Sequence, residues 1–244
     1  QHYKNKLFGI VNGIDIVKWN PFKFSKHKNI NEVKATAKMK LLQNLNLQVN
    51  TDIPILLFMN RPTPQKGIDL FVDLRNGLDI DIFEQMSKLM EKRCIFILCG
   101  NCDEKDTSPI YTQLKILNNS FNDFVFLDEY SDEIAHELLL ASDFYLFPSR
   151  FEPCGLSQIY AMRYGVLPIV NPVGGLKDTV INIDSSSEFG TGLYMKSYNF
   201  ESIVNCLDKA IDLYNSKQWL EIQNRLIKIN FSWNKQIKEY INFI

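Results

Sequence analysis

The sequence predicts an α/β fold: a Rossmann-like, doubly wound parallel sheet with helices on both faces and a helical C-terminal tail. Two observations carry this. Continuous apolar runs recur, such as IPILLFM at 53–59 and CIFILC at 94–99, and runs without polar alternation suit strands buried on both faces. Between them lie stretches whose apolar residues repeat at helical spacing. Strands alternating with helices build right-handed crossovers and hence a parallel sheet. No internal repeat or low-complexity linker divides the 244 residues.

Taken in order, residues 9–21 read as a short strand, a turn at Asn12-Gly13 and an extended exit at Asn20-Pro21, followed by a Lys/Asn-rich solvated loop over 22–31. Helical spacing of Val33, Ala37, Leu41, Leu42 and Leu45, with Lys34, Lys38 and Lys40 between them, predicts a helix over 32–47. The strand at 53–59 stops at Asn60-Arg61-Pro62, and a helix is expected from near Gly67. Helices at 81–92, 109–118, 132–141 and 156–164 then alternate with strands at 94–99, 124–127, 144–147 and 167–170. From Phe200 the chain reads as helical almost throughout. In its last segment Trp233, Ile237, Tyr240, Ile241 and Ile244 share one helical face.

Composition narrows the function. A net charge of −1 gives no basic surplus for nucleic acid or an anionic membrane. No apolar run approaches the roughly 20 residues a membrane helix needs, and the polar start, Gln1 to Lys6, is no signal-peptide core. Five cysteines, an odd number, argue against a disulfide framework. Cys99 and Cys102 form a C-x-x-C, but no second pair completes a metal site, and two small residues ending a buried strand explain it. Asp79 and Asp81 read as acids at a helix start, and His136 as a structural residue within a helix. Neither G-x-G-x-x-G nor a P-loop is present. No metal and no cofactor is expected.

Parallel sheets bind ligands at the carboxyl ends of their strands, which directs attention to three loops. Arg61 and Lys66 stand in N-R-P-T-P-Q-K-G, between a strand and the expected helix. Two cations beside a helix N-terminus suit a diphosphate, although solvated surface cations are the commoner reading. Glu152 lies between a strand end and a helix start, suited to accepting from sugar hydroxyls or merely to favouring the helix dipole. The amides of Cys154, Gly155, Leu156 and Ser157 are first-turn donors for sugar or phosphate oxygens. Gly174-Gly175 permits close approach of backbone to a ligand, or is a plain turn.

Several longer motifs coincide with these loops: G-I-V-N-G-I-D-x-x-x-W-N-P at 9–21, Q-K-G at 65–67, P-S-R-F-E-P-C-G-L-S-Q-I-Y-A-M-R-Y-G at 148–165, G-G-L-K-D-T-V at 174–180, G-T-G at 190–192 and F-S-W at 231–233. In these the chain resembles, nearly end to end, the C-terminal domain of bacterial glycogen synthases and of plant or algal starch synthases, glycosyltransferase family five with the two-domain GT-B fold. The resemblance implies that residues 1–244 are the nucleotide-sugar-binding domain: a leading segment 1–31, a Rossmann-like core 32–231 and a crossover helix 232–244. The N-terminal domain, with its K-T-G-G-L loop and acceptor groove, lies outside this chain and is an expected partner.

The resemblance also assigns roles. Arg61 and Lys66 hold the nucleotide diphosphate, Glu152 the donor glucose, the backbone at Cys154 and Gly155 the glucose, and the amides of Leu156 and Ser157 the distal phosphate. Tyr130 stacks on the nucleobase. The implied reaction moves glucose, with retention, from ADP-glucose or less readily UDP-glucose to the non-reducing end of an α-1,4-glucan, without metal. Location follows the source: plastid for a plant or algal enzyme, cytoplasm for a bacterial one. Pro62 departs from the usual apolar residue, and Tyr160 stands where related families carry a second Glu, as is typical here. A sucrose- or trehalose-type GT-B enzyme and a non-catalytic nucleotide- or partner-binding half remain alternatives.

Overall fold

The computed structural model describes residues 9–23, 25–74, 80–102, 108–184 and 188–242. Six strands form one parallel sheet: β1 (Ile55–Met59), β2 (Ile95–Cys99), β3 (Phe124–Leu127), β4 (Phe144–Phe147), β5 (Leu167–Val170) and β6 (Leu193–Tyr194). Their spatial order is β3-β2-β1-β4-β5-β6. The order reverses between β1 and β4, the switch point at which open α/β sheets bind ligands. β1, β2, β4 and β5 are buried at every residue, which is why they lack alternation. β3, on the sheet edge, alternates buried and half-buried residues. Each fully buried Leu, Ile or Phe contributes about 1.5–3 kcal/mol.

The helices are α1 (Ile30–Asn44), α2 (Ile80–Met90), α3 (Pro109–Ser120), α4 (Asp132–Ala141), α5 (Ser157–Arg163), α6 (Gly174–Thr179), α7 (Phe200–Tyr214), α8 (Trp219–Lys228) and α9 (Trp233–Ile241). Side-chain caps start several of them: Asn29 accepts from Asn31 N, Ser131 from Ile134 N, and Asn199 from Ser202 N. Asp81 lies in the first turn of α2, as expected, whereas Asp79 is outside the described residues.

Two expectations fail, each for a tertiary reason. The strand and turn expected within 9–21 are absent: only an isolated bridge joins Ile14 to Ser232, and the chain turns later, where Asp15 accepts from the amides of Val17 and Lys18 at 2.9 Å. No helix follows Gly67; two 3-10 turns, Pro64–Lys66 and Ile68–Leu70, take its place. Lys34 and Lys38 are buried at the amino-terminal edge of the sheet, opposite the ligand-binding edge.

Lys34 Nζ donates to Ser142 O and, at 3.4 Å, to Leu139 O, Leu140 O and Tyr164 O. A cation there satisfies carbonyls at the C-terminal ends of α4 and α5. Burial pushes Lys34 down to about 8. Lys38 pairs with buried Asp143 at 2.6 Å and donates to Thr51 O, Ile53 O and Tyr214 Oη at 3.2 Å. Asp143 also accepts from Ile55 N at 2.9 Å, so one carboxylate joins α1, β1 and β4.

The tail forms the expected helix. Gln236 is buried, while Trp233, Ile237, Tyr240 and Ile241 are exposed, Ile241 at 62%. Ile244 lies outside the described residues. Among the described residues no helix is long and apolar enough to cross a membrane.

Candidate active site

The loops that follow β1 and β4 flank the switch point, and they carry Arg61 and Lys66 on the first and Glu152 on the second. Lys66 Nζ and Glu152 Oε2 form an ion pair there. Glu152 is 8% exposed. The β1 loop is shaped by Pro62 and Pro64, whose rings fix φ, and by Gly67 at φ +87°. A Cβ on Gly67 would stand 2.8 Å from Pro148 Cγ and 2.9 Å from Pro148 C, so the two loops press on each other at this glycine. They are also bonded: Arg150 N donates to Gln65 O at 2.9 Å, and Gln65 Nε2 to Phe151 O at 3.3 Å. This packing replaces the helix expected near Gly67, and with it the helix dipole expected beside Arg61 and Lys66. The Arg61 side chain is exposed, with no hydrogen bond or ion pair among the described residues.

The β4 loop is held from beneath. Asn171 Nδ2 donates to Ser149 O at 2.8 Å and Gly175 N to Glu152 O at 2.9 Å. Gln158, wholly buried, donates from Nε2 to Cys154 O at 3.1 Å, Gly155 O at 3.0 Å and Thr179 Oγ1 at 3.0 Å. So anchored, the loop leaves the amides of Cys154, Gly155, Leu156 and Ser157 without an acceptor among the described residues. At Gly174 and Gly175 the chain's own backbone comes close. Cβ atoms there would meet Glu152 C at 3.1 Å and Cys154 Cα at 2.5 Å.

Tyr130 lies on the loop after β3, half exposed, with Ser131 behind it capping α4. Burial raises its hydroxyl, with the Asp132 charge adding to this. Lys18, from the leading segment, pairs with Asp132 at 2.5 Å. Tyr160 stacks on Trp19 at 3.9 Å and 15°. His136 is structural, as expected: Nδ1 meets Tyr164 Oη, the ring lies 4.4 Å from Trp19, and burial lowers its pKa.

Sequence reasoning missed Arg150 and Gln158. Arg150 pairs with Asp69 and stacks 4.2 Å over Tyr198, whose hydroxyl donates to the same carboxylate at 2.9 Å. The Asp69 contact raises the Arg150 pKa. For Gln158 a signal existed: it follows Cys154 by one helical turn. Cys99 ends β2, and burial pushes its thiol up to about 12, against a reactive thiolate. No group of metal ligands exists among the described residues.

Residues 39–233 match the family model described as Glycosyl transferases group 1. A glycogen synthase of Vibrio atlanticus is 36% identical over 253 residues, an alignment covering 99% of this chain and 49% of that protein. A glycogen synthase of Clostridium kluyveri is 33% identical over 240 residues, covering 96% and 48%. Among solved structures, the catalytic domain of Starch Synthase IV from Arabidopsis thaliana, bound to ADP and acarbose, matches with a TM-score of 0.83 and 28% identity, over 99% of this chain and 49% of that one. The chain thus spans about half the length of the relatives it matches, and its parallel sheet with flanking helices is that of GT-B glycosyltransferases. The match over most of its length and the arrangement of loops at the switch point agree: the chain belongs to the group 1 glycosyl transferases.

Proposed function

We propose that the protein carrying this chain is a starch or glycogen synthase, and that residues 1–244 are its nucleotide-sugar-binding half. It transfers glucose, with retention, from ADP-glucose, UDP-glucose being the second choice, to the non-reducing end of an α-1,4-glucan. The observation that carries this reading is the meeting of Lys66 and Glu152 at the β1/β4 switch point, beside four loop amides that have no acceptor among the described residues. In this reading Arg61 and Lys66 hold the diphosphate and stabilise the charge it gathers as the glycosidic bond breaks. Glu152 holds the glucose with the backbone at Cys154 and Gly155, the amides of Leu156 and Ser157 take the distal phosphate, and Tyr130 stacks on the base.

The ADP seen in the Arabidopsis structure supports the donor assignment. The bacterial glycogen synthases among the relatives support a cytoplasmic enzyme over a plastid one. The exposed apolar face of α9 supports a crossover helix that an N-terminal domain covers. The chain alone then binds nucleotide without elongating glucan.

The test is transfer of labelled glucose from ADP-glucose to glycogen by the full-length protein, with and without Glu152→Gln. If the carboxylate serves the transition state, kcat falls about a hundredfold or more, on the order of 2.7 kcal/mol, with Tm nearly unchanged. Near-normal kcat with a lowered Tm would reduce Glu152 to a structural charge.

A further inference from the structure

We propose that Lys66 and Glu152 form a recognition latch that selects the intact nucleotide sugar over the nucleoside diphosphate left after transfer. This rests on the assignment of both residues to donor binding. Among the described residues Lys66 is the only partner of the Glu152 carboxylate, and the two side chains are 18% and 11% exposed. Both backbones are anchored. Lys66 sits on a 3-10 turn closed by Gly67 against Pro148, and the carbonyl of Glu152 is held by Gly175 N.

A diphosphate that recruits Lys66 therefore does two things to Glu152. It removes the only cation paired with a nearly buried carboxylate, and it brings further negative charge close by. An uncompensated buried charge is costly. Sugar hydroxyls remove that cost, because they donate to Glu152 in place of the ammonium. A nucleotide sugar thus satisfies both halves of the opened pair, and a nucleoside diphosphate satisfies one. Arg61, exposed and unpaired, is available to a diphosphate in either case and supplies affinity common to both ligands. Once glucose has left, re-formation of the pair opposes retention of the diphosphate, which limits product inhibition.

The experiment is titration calorimetry of the full-length protein with ADP and with ADP-glucose, in wild type, Glu152→Gln, Lys66→Met and the double variant. The latch predicts that Glu152→Gln binds ADP roughly threefold to tenfold more tightly than wild type and loses the preference for ADP-glucose, a coupling of the size expected for contacting residues. In the Lys66→Met background the same Glu152→Gln change leaves ADP affinity within about twofold. Simple removal of a negative charge near the diphosphate tightens ADP equally in both backgrounds, and that outcome overturns the latch. So does an ADP affinity that Glu152→Gln leaves unchanged or weakens. Should Glu152→Gln fail to fold, as judged by melting, Glu152→Ala is read in the same way. If wild type binds neither ADP nor ADP-glucose, the donor assignment itself falls and the latch with it.

Discussion

Alanine at position 175 probes how the β4 loop is set. The backbone of Gly175 is not in the left-handed region, so alanine adds only a methyl group. That methyl would stand 2.5 Å from Cys154 Cα and closer still to the carbonyl of Cys154, whereas ordinary contact begins at 3.4 Å. Either α6 or the loop must therefore give by about 1 Å. The obstructing atoms are backbone, and Gly175 N, Gln158 Nε2 and Thr179 Oγ1 tie the loop to α6, so no side-chain rotation relieves the clash. Overpacking of this kind costs about 1–3 kcal/mol, which in a chain of this size lowers Tm by about 2–12 °C. The larger effect falls on catalysis, since a 1 Å displacement of positioning groups costs on the order of a hundredfold in rate. The assay pairs kcat for labelled-glucose transfer by full-length protein with calorimetric Tm. Gly9→Ala, whose Cβ meets nothing within 4 Å, serves as the silent control. Wild-type kcat and Tm in Gly175→Ala would refute the argument that these glycines seat the loop.

Asp143→Asn leaves Lys38 buried without its counter-charge, and denaturant unfolding should register a loss of about 3–5 kcal/mol while ADP affinity in the folded protein is unchanged. Burial raises Cys94 from 9.0 to about 12, so its contribution to stability is fully present below pH 9.0 and is lost as pH climbs toward 12. Unfolding measured across that window should show Cys94→Ala flattening the decline by up to about 1.4 kcal/mol per pH unit. Ile237→Ser, on the exposed face of α9, should change the stability of the isolated chain by no more than about 0.5 kcal/mol yet lower that of the full-length protein; equal effects in both would argue against a covered tail.

What could be read from the residues divides along a physical line. β1, β2, β4 and β5 were legible because strands buried on both faces must be apolar throughout. β6 was not: two residues, Leu193 and Tyr194, carry no period. The burial of Lys34 and Lys38 was not legible for a related reason. Helical spacing distinguishes faces, but Lys34 and Lys38 are drawn inward by carbonyls at the ends of α4, α5 and the segment before β1, groups that no local pattern reveals. The helix expected from near Gly67 was a misreading, and Gly175 was left between a ligand approach and a plain turn. Each glycine is required by a distant backbone, Pro148 in one case and Cys154 in the other, where local reading offered a helix start and a ligand approach.

That misreading alters the chemistry expected of the site. With no helix beginning after Lys66, the β1 loop offers an anion only the charges of Arg61 and Lys66, and one of these is engaged by Glu152. The β4 loop offers the complementary set: four amides and one carboxylate, on a loop seated by glycines and by Gln158. Charge from one strand end and hydrogen-bonding geometry from the next meet only because β1 and β4 are neighbours in space though far apart in sequence. The strand order therefore does more than complete a fold. By reversing between β1 and β4, it puts the flexible cation and the fixed acceptor within reach of each other, and under the proposed donor-binding function this contact is what a ligand at the switch point has to open.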